Sequence, residues 1–278
     1  MDRHEGRRRF RNLIARSQGD FRLAEGALLI AQEAYPHLDI NVYLQRLDEI
    51  GSTIKQRLGM ELDPHRIVAA INTHLFDELN FRGNQDNYYD PRNSFLNEVL
   101  ERKTGIPITL SVLYMEVGRR CGLAFDGVGF PGHFMVKTIC AGDALVIDPF
   151  NGGEVKSRED LAAMLRQRYG DKLGFRSDFL MTVSKKQILQ RMLYNLKAIY
   201  AHTNDLVKTL AVLDRLLILD PGSAEDIRDR GVIYARLECF GQAKDDFENY
   251  LRLDPDAPDA GAIRERLVEL AKQVVRIH

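Results

Sequence analysis

The sequence has few cysteines and no long apolar run, and both shortages exclude classes of protein. Cys121, Cys140 and Cys239 are scattered, odd in number and outside any C-x-x-C spacing. This pattern argues against a disulfide framework and a structural zinc site, and favours a reducing cytoplasm. No apolar stretch approaches the roughly 18 residues that a membrane span requires. The basic first ten residues are not followed by an apolar segment with a cleavage site, so we expect no signal peptide.

Net charge is almost absent as well. Lys and Arg total 39 against 40 for Asp and Glu, which leaves −1. No overall field therefore draws the chain to nucleic acid or to an acidic membrane. No glycine-rich phosphate loop precedes a helix, and the histidines lack metal-ligand spacing. We expect a cytoplasmic protein with no cofactor, no metal, no nucleic acid partner and no membrane association.

The length of 278 residues is about twice that of a usual domain. With 45% hydrophobic and 28% charged residues, the composition is typical of soluble globular proteins. The first segment, residues 1–82, is predicted to be an N-terminal helical subdomain. Leu47, Ile50 and Ile54 recur at spacings of three and four, the pattern of a buried helix face. Asp63 and Pro64 then cap and begin a further helix.

The second segment, residues 83–180, changes character. GIPITLSVLYMEVGRRCG predicts a buried helix over 106–121 that ends at Gly122. Short extended runs follow, separated by Gly132 and by a turn at 141–143. A helix beside antiparallel strands is an α+β arrangement, and we predict such a core here.

The third segment, residues 181–278, repeats. Leu-Asp-Pro occurs at 219–221 and again at 253–255, a spacing of 34 residues that is typical of tetratricopeptide (TPR) helix pairs. Gly231, Tyr234 and Phe247 stand at positions of that consensus. We predict a short TPR-like helical array, closed by a helix around 258–275, with Tyr234 as its candidate binding residue.

His133 and Asp148 form the most suggestive pair for chemistry. A recurring arrangement in nucleophilic catalysis is a histidine that acts as a base through one ring nitrogen while a carboxylate orients the ring through the other. The two residues are fifteen apart with a turn between them, so neighbouring antiparallel strands can place them side by side. The alternative is a buried polar pair that satisfies its own hydrogen bonds and has no catalytic role.

NSFLNEVLERKTGIPITLSVLYMEVGRRCGL, GVGFPGHFMVK and VIDPFNGG together resemble the transglutaminase-like core of the bacterial family called Sir-B-one. The resemblance implies a papain-like core between a helical N-terminal part and a TPR tail. It also implies that His133 and Asp148 match the family's His and Asp. The position of the cysteine nucleophile falls near Pro107 or Ile108, neither of which can attack a carbonyl.

Other residues are weaker candidates for the missing nucleophile. Cys121 lies at the far end of the helix, about 20 Å away, and we expect Cys140 and Cys239 to be equally incidental. The Thr109 hydroxyl lies near the helix start, where it would serve either as a nucleophile or as a cap. The polar residues of the preceding short helix line the same cleft or serve capping and solvation: Asn93, Asn97 and Glu98.

The sequence thus predicts a helix-rich α+β fold, with a papain/transglutaminase-like core followed by a short TPR helical array. The preferred function is a catalytically degenerate regulatory module that binds a protein or peptide in the core cleft or on the TPR face. The rival is an active hydrolase or transamidase in which His133 and Asp148 work with Thr109 or water as nucleophile. A third interpretation treats the core as inert and the TPR face as the working surface.

Overall fold

A computed structural model describes residues 3–16 and 20–277. Contacts between residues divide the chain into a first unit, Met1–Met192, and a second unit, Leu193–His278. The boundary falls inside a helix, α8 in the numbering below. The division at 82 and 180 inferred from the sequence stays a prediction.

Along the chain, the helices of the first unit come before, between and after its strands. They are α1 (Arg3–Arg16), α2 (Leu23–Ala31), α3 (Ile40–Leu58), α4 (Pro64–Asn72), α5 (Leu96–Arg102), α6 (Pro107–Cys121), α7 (Arg158–Tyr169) and the beginning of α8 (Lys185–His202). The predicted stripe Leu47, Ile50 and Ile54 is buried on α3. Asp63 caps α4 by accepting a hydrogen bond from the His65 amide, as expected. A π-helical turn at Thr73–Glu78 follows α4 directly and continues it.

The strands make a small antiparallel sheet and one short parallel pair. They are β1 (Arg82–Gly83), β2 (Thr104–Gly105), β3 (Asp126–Val128), β4 (Met135–Cys140), β5 (Asp143–Asp148), β6 (Glu154–Lys156) and β7 (Thr182–Val183). The sheet order is β6-β5-β4-β3-β7, and β1 pairs with β2 in parallel. Ala141 and Gly142, both with positive φ, form the predicted turn between β4 and β5. Val136 consequently pairs with Ile147.

Helix α6 is the central element of the first unit. Pro107 occupies its first turn and Gly122, in the left-handed conformation, ends it, as predicted. Leu110, Leu113 and Val117 are each at most 1% exposed, because α6 is covered by α3 on one side and β4 on another. Burying one such side chain stabilises the fold by about 2 kcal/mol. The helix therefore gives a rigid reference for the residues at its N-terminus.

The second unit is helical. After α8 come α9 (Leu206–Leu219), α10 (Ala224–Arg236), α11 (Phe240–Leu253) and α12 (Ala260–Ile277). Both α9 and α11 end at the leucine of a repeated Leu-Asp-Pro, as the 34-residue period predicts. A Cβ at Gly231 would lie 2.7 Å from the Phe247 ring, so close helix packing requires glycine there.

Candidate functional site

The predicted contact between His133 and Asp148 is present. Asp148 is the last residue of β5, and His133 lies two residues before β4, so the pairing of Val136 with Ile147 brings the two together. The His133 Nε2 atom lies 2.9 Å from each carboxylate oxygen of Asp148. The side chain of Asp148 is fully buried and that of His133 is 11% exposed.

The surroundings of Asp148 keep it ionised. Burial alone would raise its pKa, but hydrogen bonds and charge from His133, with the Asn151 side-chain amide, outweigh burial and lower the pKa. The Phe150 and Asn151 backbone amides also donate to this carboxylate. Because an ionised carboxylate only accepts hydrogen bonds, the Nε2 atom of His133 carries a proton and donates it to Asp148, which leaves Nδ1 as the ring nitrogen that can take up or release a proton.

A partly buried hydrogen-bond chain fixes the turn after Asp148. Tyr114 on α6 donates to Oδ1 of Asn72, and the Nδ2 atom of Asn72 donates to the Gly153 carbonyl at 2.8 Å. Gly152 and Gly153 have φ of 68° and 77°, positive values that glycine adopts without steric cost. The central helix and α4 thus hold the segment that carries Asp148.

His133 opens onto a groove of about 350 Å³, here called the His133 groove. The residues around it include Phe130, His133, Phe150, Asn151, Met164 and Arg168. The Phe150 ring lies edge-on to the imidazole, with centroids 5.9 Å apart. Tyr88 contacts Phe150 at 6.3 Å, and Tyr89 contacts Tyr88 at 5.4 Å. A chain of aromatic rings therefore runs from the imidazole to Tyr89, which is 77% exposed.

The start of α6, where the resemblance puts the nucleophile, presents no reactive side chain. Pro107 is buried and Ile108 is 2% exposed. The fully buried Thr109 hydroxyl donates to the Asn93 carbonyl at 2.7 Å and accepts from the Ile106 amide at 3.1 Å. In the described residues these bonds, and one to the Ile106 carbonyl, occupy Thr109, and none joins it to His133. The geometry favours the capping alternative.

The cysteines lie away from the His133 groove, and none of the three lines it. Cys121 is in the last turn of α6, where burial raises its pKa to about 11. Cys140 ends β4 opposite Asp143. Cys239 precedes α11 in the second unit. A thiol with a raised pKa is a poor nucleophile near neutral pH.

Asn93 is a buried residue that holds the backbone of a neighbouring loop. Its side chain is fully buried and donates to the carbonyls of Asn87 and Tyr88, at 2.8 and 3.2 Å. Asn93 therefore positions the loop that carries Tyr88. Asn97 is also buried, with its side-chain oxygen unpaired, and Glu98 is half-buried on α5. Among the described residues, no hydrogen bond joins Asn97 or Glu98 to a residue that lines the groove.

Tyr234 is half-buried on α10 in the second unit. Its ring lies 5.8 Å from the guanidinium carbon of Arg230, which pairs with Asp214 and Asp246. The tyrosine also packs against the apolar cluster around Phe247. It therefore belongs to the framework of the helical array.

The described residues contain no group of three or more metal-ligating side chains that could hold an ion. Within the same part of the chain, every helix is too short or too polar to cross a bilayer.

Comparison with known proteins gives consistent matches. The transglutaminase-like superfamily matches residues 41–194, and a tetratricopeptide repeat family matches residues 196–268. The UPF0162 protein of Xylella fastidiosa (strain 9a5c) is 38% identical over 263 residues, which cover 92% of each chain. The UPF0162 protein YchA of Escherichia coli K12 is 26% identical over 95% of this chain and all of its own. F-box only protein 21 of Mus musculus is 34% identical over 47% of this chain and 21% of its own length.

Proposed function

The chain belongs to the transglutaminase-like superfamily, and on that premise we propose that it works by binding a peptide segment rather than by cutting or cross-linking one. The His133 groove is the binding site. The chain acts as a regulatory module in the cytoplasm, in keeping with its resemblance to the Sir-B-one family and with its three free cysteines.

One observation carries this proposal: the acid–base pair is intact while the position of the nucleophile is filled by buried apolar side chains. His133 and Asp148 keep a charge-assisted hydrogen bond. Pro107 and Ile108 stand at the start of α6, where a papain-like enzyme needs a thiol at the helix N-terminus. Without that thiol, no covalent acyl intermediate can form on cysteine.

The groove and the chain of aromatic rings that leads from Phe150 to Tyr89 have the character of a binding surface. Tyr88, Tyr89 and Phe150 present aromatic faces, and aromatic residues supply much of the energy at peptide interfaces. Tyr88 is 40% exposed even though its backbone is held by Asn93. A fixed backbone that presents exposed rings lowers the ordering cost of binding.

A second candidate function is hydrolysis by water that His133 activates. The observation in its favour is the orientation of His133, because the bond from Nε2 to Asp148 leaves the Nδ1 lone pair for a proton. Thr109 is the weaker nucleophile within this candidate, since its hydroxyl is buried and bonded to Asn93 and Ile106.

Retention of a random hexapeptide pool by the full chain, read by mass spectrometry, tests the proposal. His133→Gln and Phe150→Ala are expected to reduce retention, while Tyr234→Ala, in the second unit, leaves it unchanged. Thermal unfolding of each variant separates loss of binding from loss of fold. Loss of retention only in Tyr234→Ala would instead favour the helical array as the working surface. No retention by the unmodified chain would overturn the proposal.

A further inference from the structure

Two arginines lie against the backbone next to His133. Arg168, on α7, lines the His133 groove and donates a hydrogen bond to the Gly132 carbonyl. Arg191, on α8, donates to the His133 carbonyl at 2.8 Å. Its guanidinium carbon also lies 5.4 Å from the centre of the Phe134 ring. Both guanidinium groups are therefore hydrogen-bonded to the backbone, one at His133 itself and the other at the residue before it.

Neither guanidinium has a carboxylate within ion-pair distance among the described residues. Other arginines of the chain differ: Arg120 pairs with Asp48 and Glu116, and Arg230 pairs with Asp214 and Asp246. Arg191 is only partly exposed. Burial lowers its pKa, and the nearby Tyr88 and Tyr169 only partly oppose that effect. A guanidinium that has lost water without gaining a counter-ion leaves charge uncompensated.

Tyr88 lies near both guanidinium groups. Burial raises the pKa of Tyr88, and the positive charges of Arg191 and Arg168 offset part of that rise. The Tyr88 ring contacts Phe150, which in turn contacts His133. The guanidinium groups thus stand beside the aromatic chain that we propose as a peptide surface.

We propose that the His133 groove selects acidic peptides, with carboxylates bound by Arg168 and Arg191 and the adjoining residues packed on Tyr88 and Phe150. This inference rests on the proposed function and names its ligand class. Arginine binds carboxylates through two parallel hydrogen bonds. Two guanidiniums match one or two carboxylates, whereas tight binding of nucleic acid uses many phosphate contacts along a basic track. The carboxylates come from Asp or Glu side chains or from a peptide C-terminus.

Three hexapeptide pools with otherwise random positions distinguish these sources. One pool has two fixed glutamates and an amidated C-terminus, and the second replaces both with glutamines. The third keeps the glutamines but has a free C-terminal carboxylate. Each is incubated with the full chain, and retained peptides are quantified by mass spectrometry. We expect at least one of the two carboxylate-bearing pools to be retained about tenfold more than the neutral pool, and the preferred pool identifies the source of the carboxylate. The preference should fall as the salt concentration rises.

Arg168→Gln and Arg191→Gln are each expected to remove the preference. Arg191→Lys, which keeps the charge, retains part of the preference. The matched control for Arg168 is Arg166→Gln, also on α7, which leaves the preference intact. Since Arg168 is exposed, its replacement does not threaten folding. Equal retention of all pools, lost in His133→Gln, would overturn the acidic preference and leave the proposed function standing. No retention of any pool would overturn both. The inference would also be overturned if a thymidine oligonucleotide displaced bound peptide at a lower concentration than the glutamate pool needs to do so.

Discussion

The hydroxyl of Tyr114 donates a 2.9 Å hydrogen bond to Oδ1 of Asn72, which ties the central helix to α4 inside the core of the first unit. Through its other side-chain atom, Asn72 donates to the Gly153 carbonyl. Gly153 follows Asp148 by five residues, so the position of the carboxylate depends on Asn72, which lies 81 residues before Gly153 at the end of α4. The site is therefore held by the core as well as by its strands.

Gly153→Ala is expected to destabilise the protein more than Gly152→Ala does. Both glycines have positive φ, so alanine costs about 1 kcal/mol at either position. A Cβ at Gly153 would also fall 2.1 Å from Oδ1 of Asn72, whereas nothing lies within 4 Å of one at Gly152. Urea unfolding should show an extra loss of about 2 kcal/mol for Gly153→Ala. Equal losses would mean that Asn72 does not hold the turn.

Asp148→Asn is expected to lower the free energy of unfolding at neutral pH by about 3 kcal/mol. Because the folded pKa of Asp148 is lowered, its contribution is present above the ordinary value of about 3.9 and disappears as pH falls through the folded pKa. The difference between wild type and variant should therefore shrink below about pH 4. Asp143→Asn, at the exposed start of β5, is the control and should show little change. A difference that stays constant with pH would contradict this account.

Thr109→Val is expected to destabilise the protein by about 2 kcal/mol, because the Ile106 amide and the Asn93 carbonyl both lose a partner in the core. Thr109→Ser keeps the hydroxyl and should lose less. Thermal unfolding of both variants makes the comparison. Covalent labelling of Thr109 by an electrophilic acyl probe, with little stability loss in Thr109→Val, would instead favour its role as a nucleophile.

Cys121 is expected to react with iodoacetamide only when the protein unfolds. With a pKa of about 11, only about one thiol in a thousand is ionised at pH 8, and the side chain is buried. Cys140 and Cys239 are more exposed and should be alkylated first. Peptide mapping after timed alkylation gives the order. Rapid alkylation of Cys121 in the folded protein would show an accessible thiol that the structure does not.

Local signals in the sequence predicted much of the fold. Pro107 and Gly122 delimit α6 because a proline starts a helix readily and a glycine adopts the left-handed conformation that ends one. The 34-residue spacing of the repeated Leu-Asp-Pro predicted the helical array, and α9 and α11 end at the leucines of its two copies. The turn between β4 and β5 was enough to place His133 beside Asp148, because antiparallel pairing follows from turn geometry.

The groove itself was not predictable in the same way. Tyr88 and Phe150 are 62 residues apart, and Arg191 contacts a carbonyl 58 residues earlier. Such contacts leave no periodic pattern, since each depends on how separate elements pack. The Asn72–Gly153 bond has the same character. The contact between Asn151 and Asp148 was the closest to a local signal, because a side-chain amide three residues after a carboxylate can donate a hydrogen bond to it.

The most direct test is a search for turnover on the peptides that the full chain retains. Wild type and His133→Ala are incubated with those peptides, with and without an added primary amine, and products are followed by mass spectrometry. The account predicts intact peptides from both proteins and weaker retention by His133→Ala. Cleavage, deamidation or amine incorporation by wild type that disappears in His133→Ala would show that His133 and Asp148 still catalyse a reaction.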